Sequence, residues 1–145
     1  IILGSGNQQI ENELKTLQSQ FNINFALDLG YKEYLSHQIY ASADFLLMPS
    51  RVEPCGLNQM YSMRYGTIPI VRYTGGLRDT VQDISTGGSG LNFTNAGAED
   101  TVHAIKRALH IYSQKDLMKG LIYSNMSFDF SWEKSAKKYL EMYNY

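Results

Sequence analysis

The sequence predicts an α/β fold: a parallel sheet with helices covering both of its faces. Three observations predict it. Short, continuously apolar runs recur along the chain, as buried strands of a parallel sheet require. Stretches with helical spacing of apolar residues stand between them. Glycine or proline punctuates the ends of the runs. Strands that alternate with helices in this way build parallel sheets.

The elements follow in order. Ile1 to Leu3 reads as a buried strand, closed by the tight turn Gly4-Ser5-Gly6. Ile10, Leu14, Leu17 and Phe21 then recur at helical spacing and mark one face of a helix. Ile23, Phe25, Leu27 and Leu29 alternate with other residues, which reads as a strand. A helix from Lys32 to Ser42 places Leu35, Ile39 and Ala43 on one side. Phe45 to Met48 is a continuously apolar strand ended by Pro49. Leu57 to Tyr65 reads as a helix that Gly66 ends. Ile68 to Val71 is a further buried strand, followed by Gly75-Gly76, and Asp79 is a candidate cap for a short helix. Gly87-Gly88-Ser89-Gly90 reads as a flexible loop, and Leu91 to Phe93 as a last short strand. The remainder is helical. Val102, Ile105, Leu109 and Tyr112 form one stripe, and Trp132, Ala136, Leu140 and Tyr143 another.

Composition narrows the function. With 145 residues, the chain has the length of one domain. Lys and Arg number 13 against 14 Asp and Glu, so the basic excess of a nucleic-acid binder is absent. An anionic ligand must then be held by local geometry. A single cysteine, Cys55, allows no intrachain disulfide and points to a reducing compartment. No apolar run approaches the roughly 20 residues of a membrane span. The chain opens directly on an apolar strand and reads as a segment cut from a longer protein.

Right-handed crossovers would bring every strand-to-helix loop to one sheet edge, where such folds bind ligands. Those loops lie near Gly4, Gly30, Pro49 to Leu57, and Thr74 to Leu77. Gly4-Ser5-Gly6, with Asp28 downstream, invites a dinucleotide reading, but Gln9 stands where the third glycine belongs. The segment Ser50-Arg51-Val52-Glu53-Pro54-Cys55-Gly56-Leu57-Asn58-Gln59 is more informative. It joins a buried strand to a helix, so Cys55 to Asn58 should offer unpaired amides suited to a phosphate. Gly56 lets a ligand approach the backbone. Glu53 beside such a site is poorly placed for phosphate and well placed to accept hydrogen bonds from sugar hydroxyls. On residues alone, an exposed loop charge at Glu53 and a helix-starting Pro54 are an equal alternative. Cys55 could be an activated thiolate, but His37, His103 and His110 fall on other helices and supply no base. The histidines also lack metal-ligand spacing. Tyr31, on its own, reads more readily as a boundary aromatic than as a ligand platform. Trp132 and the tyrosines of the last helix read as packing residues.

The segment from Ser50 to Gln59, then Met63 to Pro69 and Thr74-Gly75-Gly76-Leu77-Arg78-Asp79-Thr80-Val81, resembles the bacterial-type starch and glycogen synthases. Leu3 to Gly6, Gly30-Tyr31 and Asp129-Phe130-Ser131-Trp132 agree, so the similarity runs along essentially the whole chain. The resemblance implies a retaining GT-B glycosyltransferase with two Rossmann-like domains, of which residues 1–145 would form most of the carboxyl-terminal one. This single nucleotide-sugar-binding domain would be truncated on its amino-terminal side, with its catalytic partner domain absent. The implied reaction moves glucose from ADP-glucose, or UDP-glucose, to the non-reducing end of an α-1,4-glucan, with no metal or cofactor.

The resemblance also implies roles. Glu53 would bind hydroxyls of the donor glucose, and the Cys55 and Gly56 amides would reach the same sugar. The Leu57 and Asn58 amides would face the distal phosphate. Tyr31 would stack on adenine, and Thr74, Gly75, Gly76 and Leu77 would line the nucleotide site. Related retaining transferases often carry a second glutamate where this chain has Tyr61, so no carboxylate grip on the ribose is expected. The final segment would cross to the partner domain, leaving part of its apolar stripe exposed. The partners implied are donor, glucan and the missing domain, not nucleic acid or membrane. The compartment implied is the cytoplasm, or a plastid in a plant or alga. Alone, the chain is expected to be an inactive fragment. A dinucleotide-dependent dehydrogenase domain and a non-catalytic nucleotide-sugar or glucan-binding module are the rival readings.

Overall fold

The computed structural model describes residues 1–143. The chain forms two compact units, residues 1–42 and residues 43 onward.

The first unit pairs two short parallel strands, β1 (Ile2–Gly4) and β2 (Leu27–Leu29), with Gly4 opposite Leu29. Between them runs α1 (Gln8–Gln20). The Asn7 carboxamide oxygen caps it, accepting from the Gln9 and Ile10 amides at 2.9 and 3.3 Å. The Glu11 carboxylate reaches back to the Gly6 amide at 2.9 Å. After β2 comes α2 (Glu33–Ser42). The alternation from Ile23 to Leu29 predicted a longer strand than forms. Phe21 donates to Leu17 as α1 ends, and the Asn24 and Phe25 amides both donate to the Phe21 carbonyl. Those donors are committed to a turn, so Ile23 stands 92% exposed and β2 starts only at Leu27.

The second unit holds three parallel strands in chain order, β3 (Phe45–Met48), β4 (Ile68–Arg72) and β5 (Leu91–Phe93). The strands predicted for one sheet are thus hydrogen-bonded as two sheets, both parallel. Met48 pairs with Val71, and Arg72 with Phe93, so the three strands end at one carboxyl edge. Helices cover both faces. The alternate residues Ile68 and Ile70 of β4 pack with Leu91, Phe93 and the helices α5 (Ala98–Tyr112) and α6 (Lys115–Ser127). Val71 packs on the opposite side with Met48, Met63 of α3 (Asn58–Arg64), and Leu77 of α4 (Gly75–Thr80). Each large side chain buried this way contributes roughly 1.5–3 kcal/mol.

Four expectations change here. The buried stripe of α5 is Ala104, Ala108 and Ile111, whereas Val102, Leu109 and Tyr112 are exposed. Alanines let the helix approach the sheet closely, and the larger residues flank that contact. Asp79 caps nothing: α4 starts at Gly75 and includes it. The glycine-rich segment at 87–90 is a tight turn rather than a flexible loop. Its Gly88, Ser89 and Gly90 amides donate to Asp83 and Gln82 carbonyls at 3.0–3.1 Å. The buried Asn125 carboxamide holds the Ser89 carbonyl at 2.9 Å. Finally, α7 (Trp132–Tyr143) buries no residue, and Trp132 is 89% exposed, so it does not pack as predicted. Exposure of this stripe agrees with the alternative placed on it above.

Candidate functional site

The loop after β3 and the start of α4 after β4 emerge from neighbouring strands at the carboxyl edge of the second sheet. Arg72, the last residue of β4, fixes the first of these loops. Its guanidinium donates to the Ser50 and Arg51 carbonyls at 3.2 and 2.7 Å, and to the Thr94 carbonyl at 3.0 Å. Arginine suits this task because its rigid fork serves several acceptors at once.

Glu53 is half-buried, and the Ser50 hydroxyl donates to its Oε2 at 3.3 Å. The Glu53 carbonyl accepts the Gly76 amide at 3.0 Å. Backbone meets backbone here. A Cβ added at Gly75 would lie 1.9 Å from the Glu53 carbonyl oxygen, and one at Gly76 would lie 2.1 Å from that of Cys55. Only glycine permits this approach. Glu53, Cys55, Gly75 and Gly76, named separately from the sequence, are thus brought into one cluster. Thr74 is the residue before α4, and Leu77 turns inward, fully buried.

Gly56 follows with φ +75°, in the left-handed region. Among the described residues, the amides of Cys55, Gly56, Leu57 and Asn58 have no hydrogen-bond partner. Four consecutive unpaired donors beside a carboxylate can receive an oxygen-rich ligand. The helix that follows has seven residues, under two turns, so its dipole is short and the amides themselves supply the attraction.

Beneath this loop lies Gln59, which sequence reasoning quoted without a role. It is fully buried. The two hydrogens of its Nε2 are shared among three acceptors, the Cys55 carbonyl at 3.2 Å, the Gly56 carbonyl at 2.9 Å and the Thr80 hydroxyl at 3.0 Å. Thr80 in turn donates to the Gly76 carbonyl at 2.8 Å. Ser50 and Thr80 were likewise quoted without a role, and Arg72 went unmarked. Their contributions are contacts between distant positions, which spacing along a sequence does not display.

Tyr31 belongs to the first unit, where it follows Gly30 at the carboxyl end of β2 and is 85% exposed. Nearby, Lys32 pairs with Asp28 at 2.7 Å. Cys55 is exposed and free of disulfide. His37 lies on α2, and His103 and His110 on α5. Among the described residues, no group of three or more His, Cys, Asp or Glu is placed to hold a metal ion. No helix among them is long and apolar enough to cross a membrane.

Two surface hollows, of about 430 and 530 Å³, both border α5 and include none of the residues around Glu53. The candidate site is the loop cluster, where four consecutive unpaired amides stand beside the Glu53 carboxylate at the carboxyl edge of the sheet. Behind the larger hollow, Arg107 grips Asp83 in a two-pronged ion pair at 2.6 and 3.0 Å. Burial opposes the Asp83 carboxylate, but Arg107 and the Asn92 and Ser85 amides outweigh it and hold its pKa well below the usual 3.8.

Comparison with known proteins bears on this geometry. A glycogen synthase of Flavobacterium johnsoniae is 50% identical over 99% of this chain, and one from Bacillus cereus is 46% identical over the same share. The chain spans 30–31% of the length of these relatives. Among solved structures, the catalytic domain of starch synthase IV from Arabidopsis thaliana, bound to ADP and acarbose, superposes with a TM-score of 0.86 at 40% identity. That likeness covers 97% of this chain and 30% of the other. A sucrose-phosphate synthase from Thermosynechococcus elongatus, at 24% identity and a TM-score of 0.68, shares the fold over 98% of this chain and 37% of its own. Residues 1–122 match the family described as glycosyl transferases group 1, and the chain belongs to that family.

Proposed function

We propose that this chain is the donor-binding part of a glycogen or starch synthase. The whole enzyme would transfer glucose from ADP-glucose, or UDP-glucose, to the non-reducing end of an α-1,4-glucan with retention. The observation that carries this reading is 50% identity to a glycogen synthase across nearly the entire chain. The unpaired amides beside Glu53 give that similarity a chemical meaning. ADP in the related starch synthase structure favours adenine over uracil.

In this reading the bond broken joins the anomeric carbon of the donor glucose to the diphosphate. Negative charge then grows on the departing phosphate, where fixed amide donors act with most effect. The Leu57 and Asn58 amides face that phosphate, and those of Cys55 and Gly56 the sugar. Glu53 accepts hydrogen bonds from the glucose hydroxyls and is the proposed catalytic residue. Tyr31 supplies a platform for the base, and Thr74 and Gly75 flank the nucleotide, with Gly76 and Leu77 buried beneath them. A partner domain completes the enclosure that keeps water from the reacting carbon. The enzyme works without a metal, in the cytoplasm or, in a plant or alga, in a plastid.

The test uses the enzyme that carries this chain, labelled ADP-glucose and a malto-oligosaccharide primer. Incorporation of glucose into longer oligosaccharides, fastest with ADP-glucose, is the expected result. Absence of transfer from both ADP-glucose and UDP-glucose, with NAD bound instead, would favour the dehydrogenase reading.

A further inference from the structure

We propose that Gln59 is a positioning residue that aims the Gly56 and Leu57 amides at the donor. The proposal rests on the donor-site reading above. Its basis is peptide geometry. The Cys55 carbonyl shares a planar trans peptide with the Gly56 amide, and the Gly56 carbonyl shares one with the Leu57 amide. In a trans peptide the carbonyl and the amide point in opposite directions. Gln59 Nε2 draws both carbonyls toward the interior, at 3.2 and 2.9 Å. The two amides must therefore point away from Gln59, and neither has a partner among the described residues.

The orientation of the carboxamide is fixed. Turning it over would set Oε1 against two carbonyl oxygens and the Thr80 Oγ1. The Thr80 hydrogen is already committed to the Gly76 carbonyl at 2.8 Å, so that oxygen can only accept. The chosen orientation leaves Oε1 buried without a partner, which is unfavourable. A neutral space-filler would avoid that burial, so the donor group is what the position requires. Gly56 is bound to the same arrangement, because a Cβ there would lie 2.6 Å from Oε1. The links close into a ring. Gln59 reaches Thr80, Thr80 reaches Gly76, and Gly76 returns to the Glu53 carbonyl. The loop that carries Glu53 and the glycines at 75–76 are thereby fastened as one piece.

The experiment compares ADP with AMP, which lacks the distal phosphate, by calorimetry on the protein that carries this chain. Wild type, Gln59→Met and Gln59→Glu are measured. Met keeps the bulk and removes the donor; Glu keeps the shape and sets an oxygen against the two carbonyls. Wild type is expected to prefer ADP. Each folded variant should lose about tenfold in ADP affinity and keep its AMP affinity. A preference for ADP retained in both variants would overturn the proposal, as would equal weakening of ADP and AMP. Failure of both variants to unfold cooperatively would assign Gln59 to the core alone and also overturn it. A wild type that binds the two nucleotides alike would instead overturn the phosphate-site reading on which the proposal stands.

Discussion

Tyr31 illustrates what a single side chain can and cannot disclose. An aromatic at the end of a strand usually rests its ring on the body of the protein and wets its hydroxyl. Here the side chain is 85% exposed, so its ring is open to a stacked base. Tyr31→Ala should weaken ADP binding by about 1 kcal/mol or more, and Tyr31→Phe should retain most of the affinity. Unchanged affinity in the alanine variant, by calorimetry, would return Tyr31 to the surface. Glu53, Cys55 and Gly56 were legible as a group because glycine, proline and a carboxylate stand together after an apolar strand. Gln59 was not. Its role depends on lying three and four residues after the carbonyls it binds, and on Thr80 being beside it. Many helices carry a glutamine at such a position without either acceptor.

Among the elements, the strands β3, β4 and β5 were visible as unbroken apolar runs, because both faces of a covered parallel sheet are buried. Two of the errors share a cause: weight fell on large residues and on isolated polar ones. α5 buries its alanines, since a close helix–sheet contact leaves no room for Leu109 or Tyr112. α4 starts on two glycines, a choice against helix propensity that the approach to Glu53 and Cys55 requires. The segment at 87–90 looked loose because glycine permits looseness. Its backbone is instead committed to Gln82 and Asp83, and a Cβ at Gly88 would lie 2.3 Å from the Gln82 carbonyl oxygen.

Asp83 anchors that turn to β5 and α5 through the Asn92 amide and Arg107, with side-chain exposures of 17% for Asp83 and 29% for Arg107. Removing it as Asp83→Ala should cost about 2 kcal/mol at neutral pH, because a partly buried Arg107 loses its charged acceptor. The sign of the pH dependence follows from the lowered folded pKa. The stabilisation is complete above the unfolded value of 3.8 and is lost as pH falls from there toward the folded one. Thermal unfolding across that range should show the gap between wild type and Asp83→Ala closing as the solution becomes more acidic. A gap that stayed constant would remove the ion pair from this account.

For the molecule as a whole, the chain is two parallel α/β units whose likeness to a starch synthase structure extends over 97% of its length but 30% of that structure's. The fold follows from that likeness, and family membership from the match over residues 1–122. The reaction, its donor and its acceptor are proposals about a longer enzyme. They meet at Glu53, the carboxylate at the carboxyl edge of the second sheet. A group that holds the sugar being transferred should matter more in the transition state than for affinity toward the nucleotide. The measurement is therefore paired: turnover with ADP-glucose and calorimetric affinity for ADP, in the whole enzyme bearing Glu53→Ala. Turnover should fall at least about a hundredfold while ADP affinity stays nearly unchanged. Near-normal turnover in that variant would contradict the account, because Glu53 would then be an ordinary charge on a loop.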